Sequence, residues 1–116
     1  MAAEACVFCR IVRGEAAATV LHRNERLVAF RDLRPVAPIH ILIVTVKHVA
    51  SVNDADASDA TLLGEMMLLA RQLAGQEGVA QSGYRLVINS GAQAGQSVHH
   101  LHMHLLAGRP MRWPPG

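Results

Sequence analysis

The segment Val98-His-His-Leu-His-Met-His-Leu-Leu106 restricts the fold more than any other part of the chain. In a strand, successive side chains point to opposite faces. His100, His102 and His104 then share one face, and His99, Leu101, Met103 and Leu105 share the other. Three imidazoles on one face of an otherwise apolar strand are costly unless each holds a polar partner. A single core histidine is ordinary, whereas three at period two point to chemistry. Four of the seven histidines lie between residues 99 and 104.

Two kinds of chemistry compete for this strand. One is a metal held by all three imidazoles. Residues two apart in a strand are about 6.6 Å apart, so His100 and His104 are roughly 13 Å apart. Zinc needs each nitrogen at about 2.0–2.1 Å, so one ion takes two neighbours and hardly three. The other puts His102 to work as nucleophile or base, with its neighbours fixing its tautomer. The loop before the strand favours phosphorus chemistry. Gly91 and Gly95 let backbone N–H groups approach an anion, and Gln96 and Ser97 follow at once. No Gly-Lys-Ser/Thr sequence makes this a nucleotide-binding P-loop, and no carboxylate cluster is set up for Mg²⁺. A metal-free displacement through a histidine intermediate fits this inventory best.

The rest of the chain supplies the frame. A short amphipathic helix is expected over 5–13, with Val7, Phe8, Ile11 and Val12 on one side and Gly14 as its end. Strands over 19–22 and 27–30 form a hairpin through Asn24 and Glu25. Pro35 and Pro38 make 32–38 a loop. The β-branched run 39–46 is a strand buried on both faces. The polar stretch 51–58 precedes one long helix over 59–75, with Ser58 as N-cap and Gly75 or Gly78 as stop. Strands follow over 84–89 and 98–106, separated by the loop 90–97, and an aperiodic tail runs over 108–116. The order predicts an α+β fold: a mostly antiparallel five-stranded sheet, one long and one short helix, and a single domain over 1–116.

Composition removes several alternatives. With 51% hydrophobic and 17% charged residues the chain is not disordered. A net charge of +2 without a basic block gives no reason to expect nucleic acid. No apolar run approaches the roughly 20 residues that span a bilayer, so no membrane partner is expected. Glu4 and the lack of a basic start argue against a secretory signal and for a cytoplasmic protein. His22, Arg10, Arg13 and Arg71 read as solvated. Met66 and Met67 read as core or as an interface between copies.

Cys6 and Cys9 form a C-x-x-C pair on the first helix, so both thiols can face one ligand site. Zinc would need two further ligands, and no H-x-x-x-H supplies them. The other reading is a pair of thiols with no ligand. A redox motif is disfavoured because no strand precedes it.

The His100-x-His102-x-His104-Leu-Leu106 motif resembles the histidine triad superfamily of nucleotide hydrolases and transferases. The resemblance spans nearly the whole chain. It includes Cys6-Val-Phe-Cys-Arg-Ile11, Ala29-Phe-Arg-Asp32, Pro35, Ala37-Pro-Ile-His40, Lys47-His48, Gly83-Tyr-Arg-Leu-Val-Ile-Asn89 and Gly95-Gln-Ser-Val98. The tail Gly108-Arg-Pro-Met-Arg-Trp-Pro-Pro-Gly116 resembles the Hint branch, the histidine triad nucleotide-binding proteins. The chain departs from the family pattern at His99, at Thr45 and Val46, and at Arg112.

This resemblance implies a purine nucleoside phosphoramidase that cleaves the P–N bond of adenosine 5′-monophosphoramidate and AMP–amine conjugates. It implies His102 as nucleophile, His100, His104 and His40 as orienting groups, and Ser97 as proton donor to the leaving amine. Asp32 would bind the ribose hydroxyls. Val7, Phe8, Ile11, Phe30 and Leu33 would wall the purine, with Asn89, Gly95 and Gln96 on the phosphate side. It also implies a homodimer with one sheet across the interface, Trp113 reaching the partner's site, and a zinc on Cys6, Cys9, His48 and His100. No cofactor is implied for catalysis itself. The alternatives are another histidine triad nucleotidyl hydrolase or transferase, a nucleotide-binding adaptor or sensor with incidental turnover, and a histidine-rich metal-binding domain.

Overall fold

The two faces of a central strand fix the architecture. The computed structural model describes residues 5–116, and Glu4 lies outside the described residues. Strand β3 (Ile39–Thr45) is buried along nearly its whole length. Its Ile41 and Ile43 pack into one apolar cluster and its Leu42 and Val44 into another. Such two-sided burial needs a cover on each face, and two helices provide it. The short α1 (Val7–Val12) covers one face with Phe8, Cys9 and Ile11. The long α2 (Ala60–Gln76) covers the other with Leu62, Met66, Leu69, Ala70, Leu73 and Ala74.

The remaining strands are β1 (Val20–Arg23), β2 (Leu27–Arg31), β4 (Tyr84–Val87) and β5 (His102–Ala107). Their order is β1-β2-β3-β5-β4, and all neighbours are antiparallel. The expected α+β fold with a five-stranded antiparallel sheet is therefore observed. Leu101, Met103 and Leu105 belong to the α2 face. His102 and His104 consequently lie on the α1 face, as the alternation requires. Truncating Met103, which is 2% exposed, to alanine would cost about 2–5 kcal/mol.

Several boundaries differ from the sequence expectation. Residues 98–101 are not strand, because they bond elsewhere: Leu101 N–H donates to the Val49 carbonyl (2.7 Å), and Gln96 Nε2 to the Val98 carbonyl (3.0 Å). The helix expected over 5–13 shortens to α1, and Cys6 becomes its N-cap, its Sγ accepting from Cys9 N–H. The β1–β2 turn is built by Asn24, whose Oδ1 accepts from the N–H groups of Arg26 and Leu27. Ser58 is not the N-cap of α2. A short 3₁₀ turn at Ala57–Asp59 intervenes, with Asp56 accepting from Ser58 N–H and Asp59 bonding back to Asp56 N–H. That reciprocal pair satisfies two otherwise orphaned donors. Met66 is core and Met67 is exposed. Among the described residues, no helix is long and apolar enough to cross a membrane.

Candidate active site and metal-ligand cluster

The α1 face of the sheet carries two polar clusters. The first opens into a cleft of about 280 Å³ lined by Val7, Phe8, Ile11, Phe30, Asp32, Leu33, Ser97, His102 and His104. Its chemistry follows from how each imidazole is tied. His102 Nδ1 lies 2.6 Å from the His100 carbonyl, which only accepts, so Nδ1 carries the proton. The neutral ring therefore has its lone pair on Nε2. Phe8 stands edge-on to the ring at 5.0 Å between centroids. Burial pushes the His102 imidazole below its ordinary value, against the opposing pull of the His100 carbonyl and of Asp32. A buried, neutral, tautomer-locked imidazole can act as a nucleophile near neutral pH.

His40 sits beside His104 and Asp32. Its Nδ1 accepts from Val36 N–H (3.1 Å), so the proton of the neutral ring is on Nε2. This Nε2 lies 2.9 Å from His104 Nδ1 and 3.3 Å from Asp32 Oδ2. His104 Nδ1 is thus an acceptor, and its own proton sits on Nε2. Burial is the largest cause that lowers the His104 value, and His102 and His40 add to it, giving about 4. Burial lowers His40 as well, with Asp32 opposing.

The second cluster gathers Cys6, Cys9, His48 and His100, whose ligand atoms all lie within 4.8 Å of one another. Cys6 Sγ is 3.2 Å and Cys9 Sγ 3.5 Å from His100 Nδ1, and Cys9 Sγ is 3.1 Å from His48 Nδ1. A tetrahedral zinc with Zn–S of about 2.3 Å and Zn–N of about 2.0–2.1 Å sets sulfur and nitrogen about 3.6 Å apart. The observed spacings are only slightly shorter. On the other side of the ring, His100 Nε2–H donates to the Thr45 carbonyl at 2.7 Å. That bond leaves Nδ1 as the free lone pair facing the thiols, the outer-shell arrangement of a metal-bound histidine. The residues fit a Cys₂His₂ ion.

Not every anticipated residue meets at the cleft. Asn89, Gly95, Gln96 and Trp113 do not line it. Gln96 is instead a buried strut, its Nε2 donating to the carbonyls of Ala50 and Val98 and its Oε1 accepting from Gly91 N–H. Gly95 allows the turn before it, at φ +87°. Trp113 is 82% exposed, away from this chain's own cleft. Four lining residues were not anticipated: Ala17, Ala18, Leu42 and Val98. Leu42 was findable, since alternation puts it on the same face of β3 as His40. A hollow of about 480 Å³ beside the β1–β2 turn is larger. Its walls carry an Arg26–Glu65 ion pair and no comparable set of tautomer-locked imidazoles.

The HIT domain family matches residues 13–111. The chain belongs to the HIT domain family. It is 43% identical over 109 residues to the purine nucleoside phosphoramidase of Escherichia coli K12, covering 94% of this chain and 92% of that one. A HIT family hydrolase from Legionella pneumophila superposes with a TM-score of 0.94 at 49% identity, covering 96% of this chain and 99% of the other. A zinc-bound histidine triad family protein from Mycobacterium smegmatis superposes at 0.80 with 29% identity, covering 93% and 78%. These relatives support hydrolase activity on nucleotide-type ligands for this HIT chain.

Proposed function

We propose that this HIT protein is a purine nucleoside phosphoramidase that hydrolyses adenosine 5′-monophosphoramidate and AMP–amine conjugates through a nucleotidyl-histidine intermediate. The observation that carries the reading is the 2.6 Å bond between His102 Nδ1 and the His100 carbonyl, which leaves Nε2 free at the cleft wall. In the first step Nε2 forms a bond to the α-phosphorus and the P–N bond breaks. Ser97, which lines the cleft, gives the departing amine its proton. In the second step water attacks phosphorus, its proton returns to the Ser97 oxygen, the N–P bond breaks, and AMP leaves with His102 neutral again. His104 Nε2–H stabilises the charge that develops on the phosphoryl oxygens, and His40 fixes the tautomer of His104. Asp32 accepts from the ribose hydroxyls, and Phe8, Ile11, Phe30, Leu33 and Val7 hold the base. Gly95, Gln96 and Asn89 shape the phosphate side of the site from behind the lining.

Cys6, Cys9, His48 and His100 would hold a structural zinc, which ties α1 to the sheet and takes no part in bond breaking. The reading includes a single domain over 1–116 of the Hint branch, located in the cytoplasm and acting as a homodimer without nucleic acid or membrane. Joining of two sheets at the β4 edge and an approach of Trp113 to the partner's cleft belong to the same reading. The half-buried β4 edge supports an interface there.

The test is to quench a reaction of the protein with adenosine 5′-monophosphoramidate in acid. The peptide containing residues 99–104 should carry an AMP adduct by mass spectrometry. An unmodified His102 during steady turnover would exclude the covalent route.

A further inference from the structure

The proposed reaction depends on the His40 tautomer, which the Asp32 carboxylate favours from the Nε2 side and one exposed residue, Val36, 61% open to water, favours from the Nδ1 side. Val36 N–H donates to His40 Nδ1 at 3.1 Å. Residues 33–36 are all exposed, so apolar packing does little to hold this stretch. Its start is anchored by Asp32 N–H on the His40 carbonyl (3.0 Å) and by Arg34 N–H on Asp32 Oδ1 (2.8 Å). Neither bond reaches Val36.

The tail supplies the missing anchor. The chain leaves β5 at Gly108 with φ +93°, and a Cβ there would come within 2.8 Å of Pro38 Cβ. Only glycine lets the tail lie this close to the loop. The next residue, Arg109, then reaches back and donates from Nη2 to the Val36 carbonyl at 2.9 Å. Its Nη1 donates to the Pro110 carbonyl at 3.1 Å, which steadies the guanidinium. Val36 is thereby held at both of its backbone groups, by an arginine on one side and by His40 on the other. A charged donor makes the stronger kind of hydrogen bond.

We propose that Arg109 is a positioning residue for the reaction centre: by clamping Val36 against the sheet it holds the Val36–His40 bond, which keeps the His40 proton on Nε2, aimed at His104 and Asp32. The inference rests on the reading of that cluster as the reaction centre. It gives the C-terminal segment a role within its own chain, independent of any contact with a second subunit.

The decisive experiment compares Arg109→Ala, Arg109→Gln and Arg109→Lys with an Arg71→Ala control, without and with adenosine 5′-monophosphoramidate. Without substrate, amide hydrogen exchange at Val36 should quicken about tenfold in Arg109→Ala and Arg109→Gln. The His40 Nδ1 resonance in ¹⁵N spectra should move toward that of a free lone pair. Arg109→Lys keeps one charged donor and should recover most of both signals. With substrate, kcat should fall about fivefold while KM stays within about twofold, because Asp32 keeps its own anchors. Arg71→Ala should change none of these.

Unchanged Val36 exchange and an unchanged His40 resonance in the folded variants would overturn the proposal, even if turnover fell. Equal behaviour of the lysine and glutamine variants would also overturn it. If Arg109→Ala fails to fold, the lysine–glutamine pair decides alone. If the native protein turned over no phosphoramidate, the phosphoramidase reading would fall, while the substrate-free signals would still decide whether Arg109 holds His40.

Discussion

Two polar clusters share the α1 face, and each contains three or more metal-competent side chains, yet only one turns its lone pairs inward as an ion would need. Asp32, His40 and His104 bring their ligand atoms within 4.8 Å, just as Cys6, Cys9, His48 and His100 do. In the first group, Val36 N–H occupies His40 Nδ1, so Nε2 points a proton into the cluster. A cation there would have to displace it. In the second group the Thr45 carbonyl takes the Nε2 proton of His100, and the lone pair on Nδ1 faces the sulfurs. Proximity is the same in both; the tautomer, which a backbone group helps to set, separates a cluster that presents a proton from one that presents a lone pair. His100 belongs to both, its ring to the thiol cluster and its carbonyl to the bond with His102.

The sharpest way to separate the clusters is to delete the proposed nucleophile. His102→Ala should lower kcat by about four orders of magnitude or more, by analogy with other covalent nucleophiles, and leave zinc affinity unchanged. Titration with a zinc-competitive dye alongside turnover would check both halves. Loss of metal binding without loss of turnover would reverse the assignment of the two clusters.

Removing the ion should do the opposite. With free zinc at about a thousandfold above Kd, the bound ion adds about 4 kcal/mol. A chelator should then lower the melting temperature of the loaded protein by about 10 °C or more, and Cys9→Ser should abolish that difference. Turnover of phosphoramidate at 25 °C should persist in chelator. If it stopped at once while the protein remained folded, the ion would have to be placed in the chemistry.

The comparison also shows what could be read from residues alone. The alternation in Val98–Leu106 gave the correct face for His102 and His104, because period two is a local property of any strand. It could not locate the start of β5, since that is decided by Leu101 bonding to Val49, a residue 52 positions away. The dry face was legible for the same reason as the wet one: Leu101, Met103 and Leu105 alternate with the imidazoles. The thiol pair was visible as C-x-x-C, but spacing did not point to His48 and His100, which lie 39 and 94 residues from Cys9 and Cys6. Only the family resemblance supplied them. Ala17 and Ala18 carry no signal at all; they line the cleft because the chain after α1 passes there.

Within the cleft itself, a change at Asp32 should divide binding from chemistry. Asp32→Ala should raise KM by about tenfold or more through the loss of a charged hydrogen-bond acceptor for the ribose. The effect on kcat should be smaller, since His40 keeps its bond to His104. Steady-state kinetics with AMP-amine and with the corresponding 2′,3′-dideoxynucleotide conjugate would test it. The variant should bind the two substrates alike, whereas the native protein should favour the ribose form. Equal preference in the native protein would remove Asp32 from ribose recognition.

The smallest effect concerns protons, and its sign distinguishes the cleft from an ordinary pair of surface histidines. His104 is held at about 4, below the value of 6.5 expected for an unperturbed ring, chiefly by burial and then by His102 and His40. His40 is lowered too, by burial against the opposing charge of Asp32. Above pH 6.5 these rings are neutral in both folded and unfolded chains, and their contribution to stability is fully present. As the pH falls below 6.5 the unfolded chain takes up protons that the folded one refuses, so stability declines. The His104 contribution to this decline levels off near pH 4, where the folded ring also titrates. Its size is reduced because the His104 ring is only partly buried at the cleft. Denaturant melts from pH 7.5 to 4 should therefore show a slope of this sign, and His104→Asn, which cannot titrate, should flatten part of it. Stability that rose on acidification through this range would mean that His104 is charged in the folded protein, and the bond it accepts from His40 Nε2 would have to be reassigned.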